Sequence, residues 1–328
     1  MDGAIDAHTH FVPRVFPSAL GRDARWPSIE ISGAAAAVTI GGKLFRAIDS
    51  RSWDADRRLD DMVDDGVAVQ VVSPMPELLS YWFSPEDGDA FADHVNNQLA
   101  ELCASRPGRF IGLGMVPLQD PALAARRLES VKALCLRGVE IGSHINGVPL
   151  GDARLDVFYA AAEAADLCLL VHPLHPAGLE RMAGRPPLAA VAAFPLETAL
   201  AAVALMTHGV TQRFPRLRIL LSHGGGALPW ILPRLSATRA LDPALANLFP
   251  AEPHDMARQF FYDSILYEPP ALRFLADSVG ADRIVVGSDY PFTIKQNRPS
   301  EFAERALGLS EVGLRENAAL WLGDRSSR

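Results

Sequence analysis

Cysteine is scarce in this sequence: Cys103, Cys135 and Cys168 are the only three among 328 residues. They are odd in number, well separated and not arranged as CxxC, so neither a disulfide framework nor a thiolate zinc site is indicated, and a reducing compartment is expected. Uninterrupted apolar runs of about 18 residues, the length a membrane span needs, are also missing. The first residues, MDGAIDAHTHF, lack the basic and then apolar pattern of a secretory signal. The expected location is therefore cytoplasmic, without a membrane partner. Positive charge is in deficit, with 31 Lys and Arg against 39 Asp and Glu for a formal net charge of -8. A whole-chain basic field for gripping nucleic acid or anionic lipid is absent, so an anionic ligand has to be held by local cations. What is present, 49% hydrophobic and 21% charged residues, is ordinary globular composition that can bury a sizeable core and gives no support to disorder or coiled coil.

Short apolar, β-branched runs alternate with longer Ala/Leu-rich amphipathic stretches, as in βαβ units around a buried parallel sheet. The runs are Ala4–His10, Val67–Ser73, Phe110–Val116, Gly138–Ser143, Cys168–His172, Arg218–His223, Phe260–Ile265 and Arg283–Gly287. Helices are expected over Asp54–Asp65, Asp89–Ser105, Pro121–Leu136, Ala153–Ala165, Leu188–Arg213, Ala227–Ala240 and Pro270–Val279, with one or two more over Ser300–Leu322. Eight strands, each followed by a helix, is the count that closes a (β/α)8 TIM barrel, and an open doubly wound sheet is the alternative. Residues 12–53 are rich in Gly and Pro breaks and carry the small-residue run SGAAAAVTIGG where a simple helix would stand. They read as an insertion, a lid over the barrel mouth after the first strand. The expectation is one α/β domain over 1–328, with residues 300–328 as C-terminal helices.

His8 and His10 stand two apart at the end of the first expected strand, so in extended backbone both side chains project to one face and could share a metal. By itself an HxH is a weak signal. His172 ends the fifth run (CLLVHP), His223 the sixth (ILLSHGGG), and Asp289 follows the eighth (RIVVGSDYPF). In a parallel barrel these C-terminal strand ends converge on the face where barrel enzymes carry their catalytic groups. Each residue singly could be a satisfied polar cap; the set together points to zinc, or to manganese or another divalent ion, with room left for a bound water. Phe292, just past Asp289, is a candidate to stack on a flat substrate. His144 lies between pocket lining and a structural hydrogen bond, and His175 lies in the loop beyond VHP. Cys168 reads as core, and His94, His208 and His254 as surface or packing residues.

DAHTHF, GGKLFR, WDADRRLDDMVDDGVAVQVV, MVPLQD, GVEIGSH, VHP, FPLET, SHGGG and GSDYPF, in this order, resemble the amidohydrolase superfamily, in the branch typified by aminocarboxymuconate semialdehyde decarboxylase. The resemblance runs nearly end to end. It implies metal ligation by His8, His10, His172 and Asp289, with His223 as proton shuttle; a fifth-ligand role for His223 is the competing assignment. The fourth strand ends without the lysine that other branches carbamylate, which favours a mononuclear site. The resemblance also matches Arg46 to an arginine that reaches from the lid to a substrate carboxylate, with Lys43 nearby. It matches Arg234 to an arginine entering from a neighbouring subunit, which implies a homodimer. The implied activity is non-oxidative decarboxylation of a small planar carboxylic acid, either a muconate semialdehyde or an aromatic acid. The alternatives are a hydrolase or hydratase of the same branch and a non-catalytic metal-binding barrel. At His175, and at Leu174 before it, the typifying decarboxylase has aspartate and tryptophan, so this stretch of pocket wall differs.

Overall fold

The computed structural model describes residues 3–182 and 188–324. Thirteen strands occur among them: β1 (Ile5–Phe11), β2 (Pro27–Ser32), β3 (Ala35–Ile40), β4 (Lys43–Asp49), β5 (Val69–Pro74), β6 (Phe110–Gly114), β7 (Gly138–Gly142), β8 (His144–Ile145), β9 (Val148–Pro149), β10 (Cys168–His172), β11 (Ile219–Leu221), β12 (Phe261–Asp263) and β13 (Ile284–Val285). Eight of them form one parallel sheet in the order β1-β5-β6-β7-β10-β11-β12-β13. Its two ends meet: Ala7 N donates to Val286 O at 2.7 Å, His10 N to Tyr290 O at 2.7 Å and Asp289 N to His8 O at 2.9 Å. These bonds draw the sheet into a barrel, and the eight expected runs supply its strands.

Along β1 the register against β5 shifts between Asp6 and Thr9, where three residues of one strand span two of the other. This β-bulge changes which residues face inward. Ile5 and Ala7 belong to the apolar interior cluster with Val71, Leu170, Leu220 and Val285. Beyond the bulge it is His8 and His10 that meet the histidines of the other strands. The barrel interior is thus apolar below and polar at the C-terminal mouth. Trp321 and Leu322, on the helix Glu311–Leu322, close the lower end within the same cluster, and Trp321 Nε1 donates to Leu169 O at 3.3 Å. The expected C-terminal helices are Pro299–Leu307 and Glu311–Leu322. Residues 325–328 of the assigned C-terminal segment, and residues 1–2 of the assigned domain, lie outside the described residues, as do residues 183–187.

One expected helix is corrected. The single helix expected over Leu188–Arg213 is a π-turn at Ala189–Ala193 continuing into an α-helix at Phe194–Thr207, then a separate turn at Val210–Arg213. The break falls at Gly209, whose φ of 62° is left-handed and cheap only for glycine. Among the described residues, Ala189–Thr207 is long and apolar enough to cross a membrane by length and composition. Glu197 interrupts it, however, accepting a hydrogen bond from Ala177 N at 3.0 Å, and Ala202, Leu205 and Met206 are buried in the core. Within the insertion the small-residue run is a strand: β2, β3 and β4 form a three-stranded antiparallel sheet. Trp26 and Val38 anchor this insertion in the core, with the Trp26 ring 5.1 Å from that of Phe83.

Candidate metal centre

Four imidazoles and one carboxylate meet at the barrel mouth. Ligand atoms of His8, His10, His172 and Asp289 all lie within 4.8 Å of one another, and all four residues are buried. His8 Nε2 is 3.0 Å from His10 Nε2, and Asp289 Oδ1 is 3.1 Å from His10 Nε2 and 3.6 Å from His8 Nε2.

The outer ring nitrogens determine what the inner ones can do. His8 Nδ1 donates to Asp263 Oδ2 at 2.7 Å, His10 Nδ1 to the Pro74 carbonyl at 3.2 Å and His172 Nδ1 to the Pro173 carbonyl at 3.0 Å. Because those partners only accept, each Nδ1 carries the proton, and each neutral ring turns an Nε2 lone pair inward. His172 Nε2 is buried with no hydrogen-bond partner. With all three rings neutral, the inward lone pairs and the carboxylate are a set of acceptors that needs a proton or a cation between them. Three imidazoles and one carboxylate are also the donors that suit zinc or another first-row divalent ion. The residues therefore fit a metal.

The electrostatics agree. Burial opposes charge on His8, but its hydrogen bond to Asp263 and the charges of Asp263, Asp289 and Glu140 outweigh this and raise its pKa to about 9. The site thus calls for positive charge, and a divalent cation would answer it while also meeting the other rings. Burial and the neighbouring charge on His8 leave His10 lowered to about 4, and burial holds His172 well below the usual histidine range, so both stay in the neutral, ligating form. Burial would lift the Asp289 carboxyl; contacts with His10 and His223 and the charge at His8 hold it well below the usual range instead.

His223 stands at the edge of this group, with Nε2 3.8 Å from Asp289 Oδ2 and its ring 5.1 Å from that of His172. It lies at φ 54° and is followed by three left-handed glycines, Gly224, Gly225 and Gly226. A Cβ at Gly226 would fall on the Pro195 carbonyl, so only glycine lets the backbone pass there. Asp263 ties the turn to the ligands: it accepts from His223 N at 2.8 Å, from Gly224 N at 2.9 Å and from His8 Nδ1. One carboxylate thereby orients both the first histidine and the loop that carries His223.

A cavity of about 960 Å³ opens above the centre. His172, His223 and Asp289 lie at its floor; Phe45, Met75, Leu174, Phe194, Leu266 and Phe292 make up much of its wall. Arg46, from β4, enters the cavity with its guanidinium 4.5 Å from the centre of the Phe292 ring. Burial lowers the Arg46 pKa, and the charges of Asp289 and Glu77 partly restore it.

The structure brings His8, His10, His172, Asp289, His223, Arg46 and Phe292 together. It does not bring in Lys43, exposed at the start of β4, or Arg234, exposed on the helix Leu228–Leu241; neither lines the cavity of this single chain. Lys43 stands at the exposed start of β4, on the edge strand of the three-stranded sheet. His144 takes its structural option: its Nδ1 accepts from Gly147 N at 3.0 Å and its Nε2 donates to His175 O at 3.3 Å. Sequence reasoning passed over Asp263 and Glu140. Both are acids inside apolar strand runs, FFYDSILY and GVEIGSH, and a buried carboxylate in such a run was the available signal.

The 2-amino-3-carboxymuconate-6-semialdehyde decarboxylase of Dictyostelium discoideum is 33% identical over 313 residues, 94% of this chain and 87% of that protein. The crystal structure of a dihydroxybenzoic acid decarboxylase from Polaromonas sp., with bound manganese and the inhibitor 2-nitroresorcinol, aligns with a TM-score of 0.75 at 25% identity, covering 100% of this chain and 98% of that one. For fold alone, the IDCase of Metarhizium anisopliae in apo form aligns with a TM-score of 0.83 at 21% identity, covering 98% and 97%. The sequence model of the amidohydrolase family spans residues 5–319, from the strand that begins the barrel to the helix that closes its lower end. The chain belongs to the amidohydrolase family.

Proposed function

We propose that this chain is a metal-dependent carboxy-lyase that removes carbon dioxide, without an oxidant, from a small planar carboxylic acid. The single observation that carries the reading is the ligand cluster of His8, His10, His172 and Asp289 beneath a cavity that, among the described residues, holds one guanidinium, Arg46. When bound, a divalent cation supplies Lewis acidity to a substrate oxygen and lowers the pKa of water beside it.

The chain's own residues do the rest. Arg46 offers a planar fork of donors to a carboxylate. Phe292, held 5.0 Å from the His10 ring and under the Arg46 guanidinium, gives a flat face for a conjugated substrate. The apolar wall lowers the local polarity, which favours spreading the localised carboxylate charge over the substrate as carbon dioxide leaves. As the bond to the carboxyl carbon breaks, its electron pair stays on the substrate carbon; His223 Nε2, beside the Asp289 carboxylate, is placed to deliver the proton that this carbon takes up. The relatives described above, a semialdehyde decarboxylase and a manganese-containing dihydroxybenzoic acid decarboxylase, support the same class of reaction.

The finer reading is a cytoplasmic homodimer that uses zinc. Three unpaired cysteines fit a reducing compartment, and an exposed Arg234 is free to reach a second copy's cavity. The donor set suits zinc, and manganese is the competing metal. The test is to assay the metal-loaded protein for carbon dioxide release, in the absence of oxidant, from muconate semialdehydes and hydroxybenzoates. Release with a product lighter by one carbon dioxide supports the reading; a stable product heavier by one water overturns it in favour of hydration or hydrolysis.

A further inference from the structure

His175 and Glu77 are left unused by this chemistry, yet both line the cavity. His175 Nε2 lies 3.0 Å from Glu77 Oε1. Its ring stacks on Trp82, with centroids 5.3 Å apart and planes at 30°. Its backbone carbonyl accepts from His144 Nε2, whose other nitrogen is fixed by Gly147 N. Two contacts therefore hold the side chain and a third holds its backbone, although the side chain is still 47% exposed. They hold it against a cost, because His175 sits at φ 44°, a left-handed conformation that glycine would adopt more cheaply. Strain retained for an exposed side chain on a cavity wall points to a role in that cavity.

Charge gives the role its chemistry. Arg46, Asp289, Glu77 and His175 all line the cavity, and the charges of the two carboxylates favour the charged guanidinium. The bond to Glu77 raises the His175 pKa, which favours the ion pair. Glu77 is 18% exposed and has His175 as its only side-chain hydrogen-bond partner among the described residues, so a carboxylate with several acceptor positions keeps capacity for a further donor.

We propose that Glu77, positioned by His175, is a specificity-determining residue that accepts a hydrogen bond from a hydroxyl or amino group of the substrate and disfavours substrates with a second carboxylate. The proposal rests on the reading of the cavity as a carboxylic-acid site. It narrows the substrate class to planar monocarboxylic acids bearing a neutral hydrogen-bond donor away from the carboxyl group.

The test is calorimetric binding to the metal-loaded protein, with benzoate, 3-hydroxybenzoate, 4-hydroxybenzoate and benzene-1,3-dicarboxylate as probes, so that turnover is not the readout. One hydroxybenzoate should bind about tenfold or more tighter than benzoate, as expected for a hydrogen bond to a charged acceptor, and the dicarboxylate should bind more weakly than benzoate. Glu77→Ala should erase both differences. Glu77→Gln, of the same shape, should lose the penalty against the dicarboxylate and keep part of the hydroxyl preference through its remaining oxygen. His175→Ala should reduce the hydroxyl preference, because Glu77 then lacks its restraint. Unchanged ordering of the probes in both Glu77 variants, with benzoate still bound, overturns the proposal and leaves the carboxylic-acid site standing. Failure of every probe, benzoate included, to bind the wild-type protein would overturn both.

Discussion

β1 and β4 are both seven residues long, and each delivers functional side chains to the same mouth, but they are built in opposite ways. Every residue of β1 is buried. Its polar groups are tied on all sides: Thr9 Oγ1 donates to Val71 O at 2.8 Å, the wholly buried Arg58 donates to His10 O and to Gln70 Oε1, and Asp263 holds His8. β4 leaves Lys43, Leu44, Phe45 and Ala47 exposed, and sends Arg46 into the cavity from an antiparallel sheet. The difference teaches where precision is needed. Ligand atoms a few ångströms apart tolerate little movement, so His8 and His10 sit on a strand that is buried throughout and tied through its outer polar groups. A cation that grips a carboxylate works over a longer range and sits on an element mostly in water.

The comparison can be broken at several points. Asp289→Ala removes the only carboxylate of the four-residue cluster; bound metal should fall away and carbon dioxide release should drop roughly a thousandfold, about 4 kcal/mol of transition-state stabilisation. Elemental analysis and turnover measured on the same preparation check this, and full metal content in that variant would refute the assigned ligand set. His223→Ala should lower turnover by about 10²–10⁴-fold, the range for a lost general acid, while metal content stays at the wild-type level. Loss of metal together with activity would instead favour the fifth-ligand assignment.

Asp263→Asn tests the restraint on β1 from outside the ligands. Metal affinity should weaken by about 10–100-fold, as for other groups that orient a ligating histidine. Competition with a chromogenic chelator measures it, and an unchanged affinity would show that Asp263 only shapes the His223 turn. On β4, Arg46→Ala should raise KM by about tenfold or more with a smaller change in kcat, matching loss of a charge-assisted hydrogen bond to the substrate. An unaltered KM would remove Arg46 from the binding site. Leu44→Ala, on a residue 66% exposed, should change stability by no more than about 0.5 kcal/mol in denaturant titration. A larger loss would mean that β4 is covered in solution.

Much of the mouth was legible in the sequence because its parts recur at strand ends. Apolar runs capped by His172, His223 and Asp289 announce both the strand and the group it carries, and parallel topology then requires those ends to meet. Asp263 and Glu140 escaped notice because a single acid in a short strand carries no periodic signal, and only its burial marks it as part of the site. The bulge in β1 was equally hidden: the spacing of His8 and His10 is the same in a regular strand, and only pairing with β5 shows the extra residue. The strands of the insertion were equally hidden. A run of alanines favours helix locally, whereas β3 is held as a strand by its partners on either side, and tertiary pairing outweighs propensity.

The sequence by itself determined the barrel, the convergence of His8, His10, His172, His223 and Asp289, and membership in the amidohydrolase family, because hydrophobic periodicity and strand-end chemistry are local properties. The tertiary structure alone decided which nitrogen His8 and His10 turn inward and that His175 leans on Glu77. Those outcomes depend on hydrogen-bond partners tens to hundreds of residues away, which folding brings within about 3 Å.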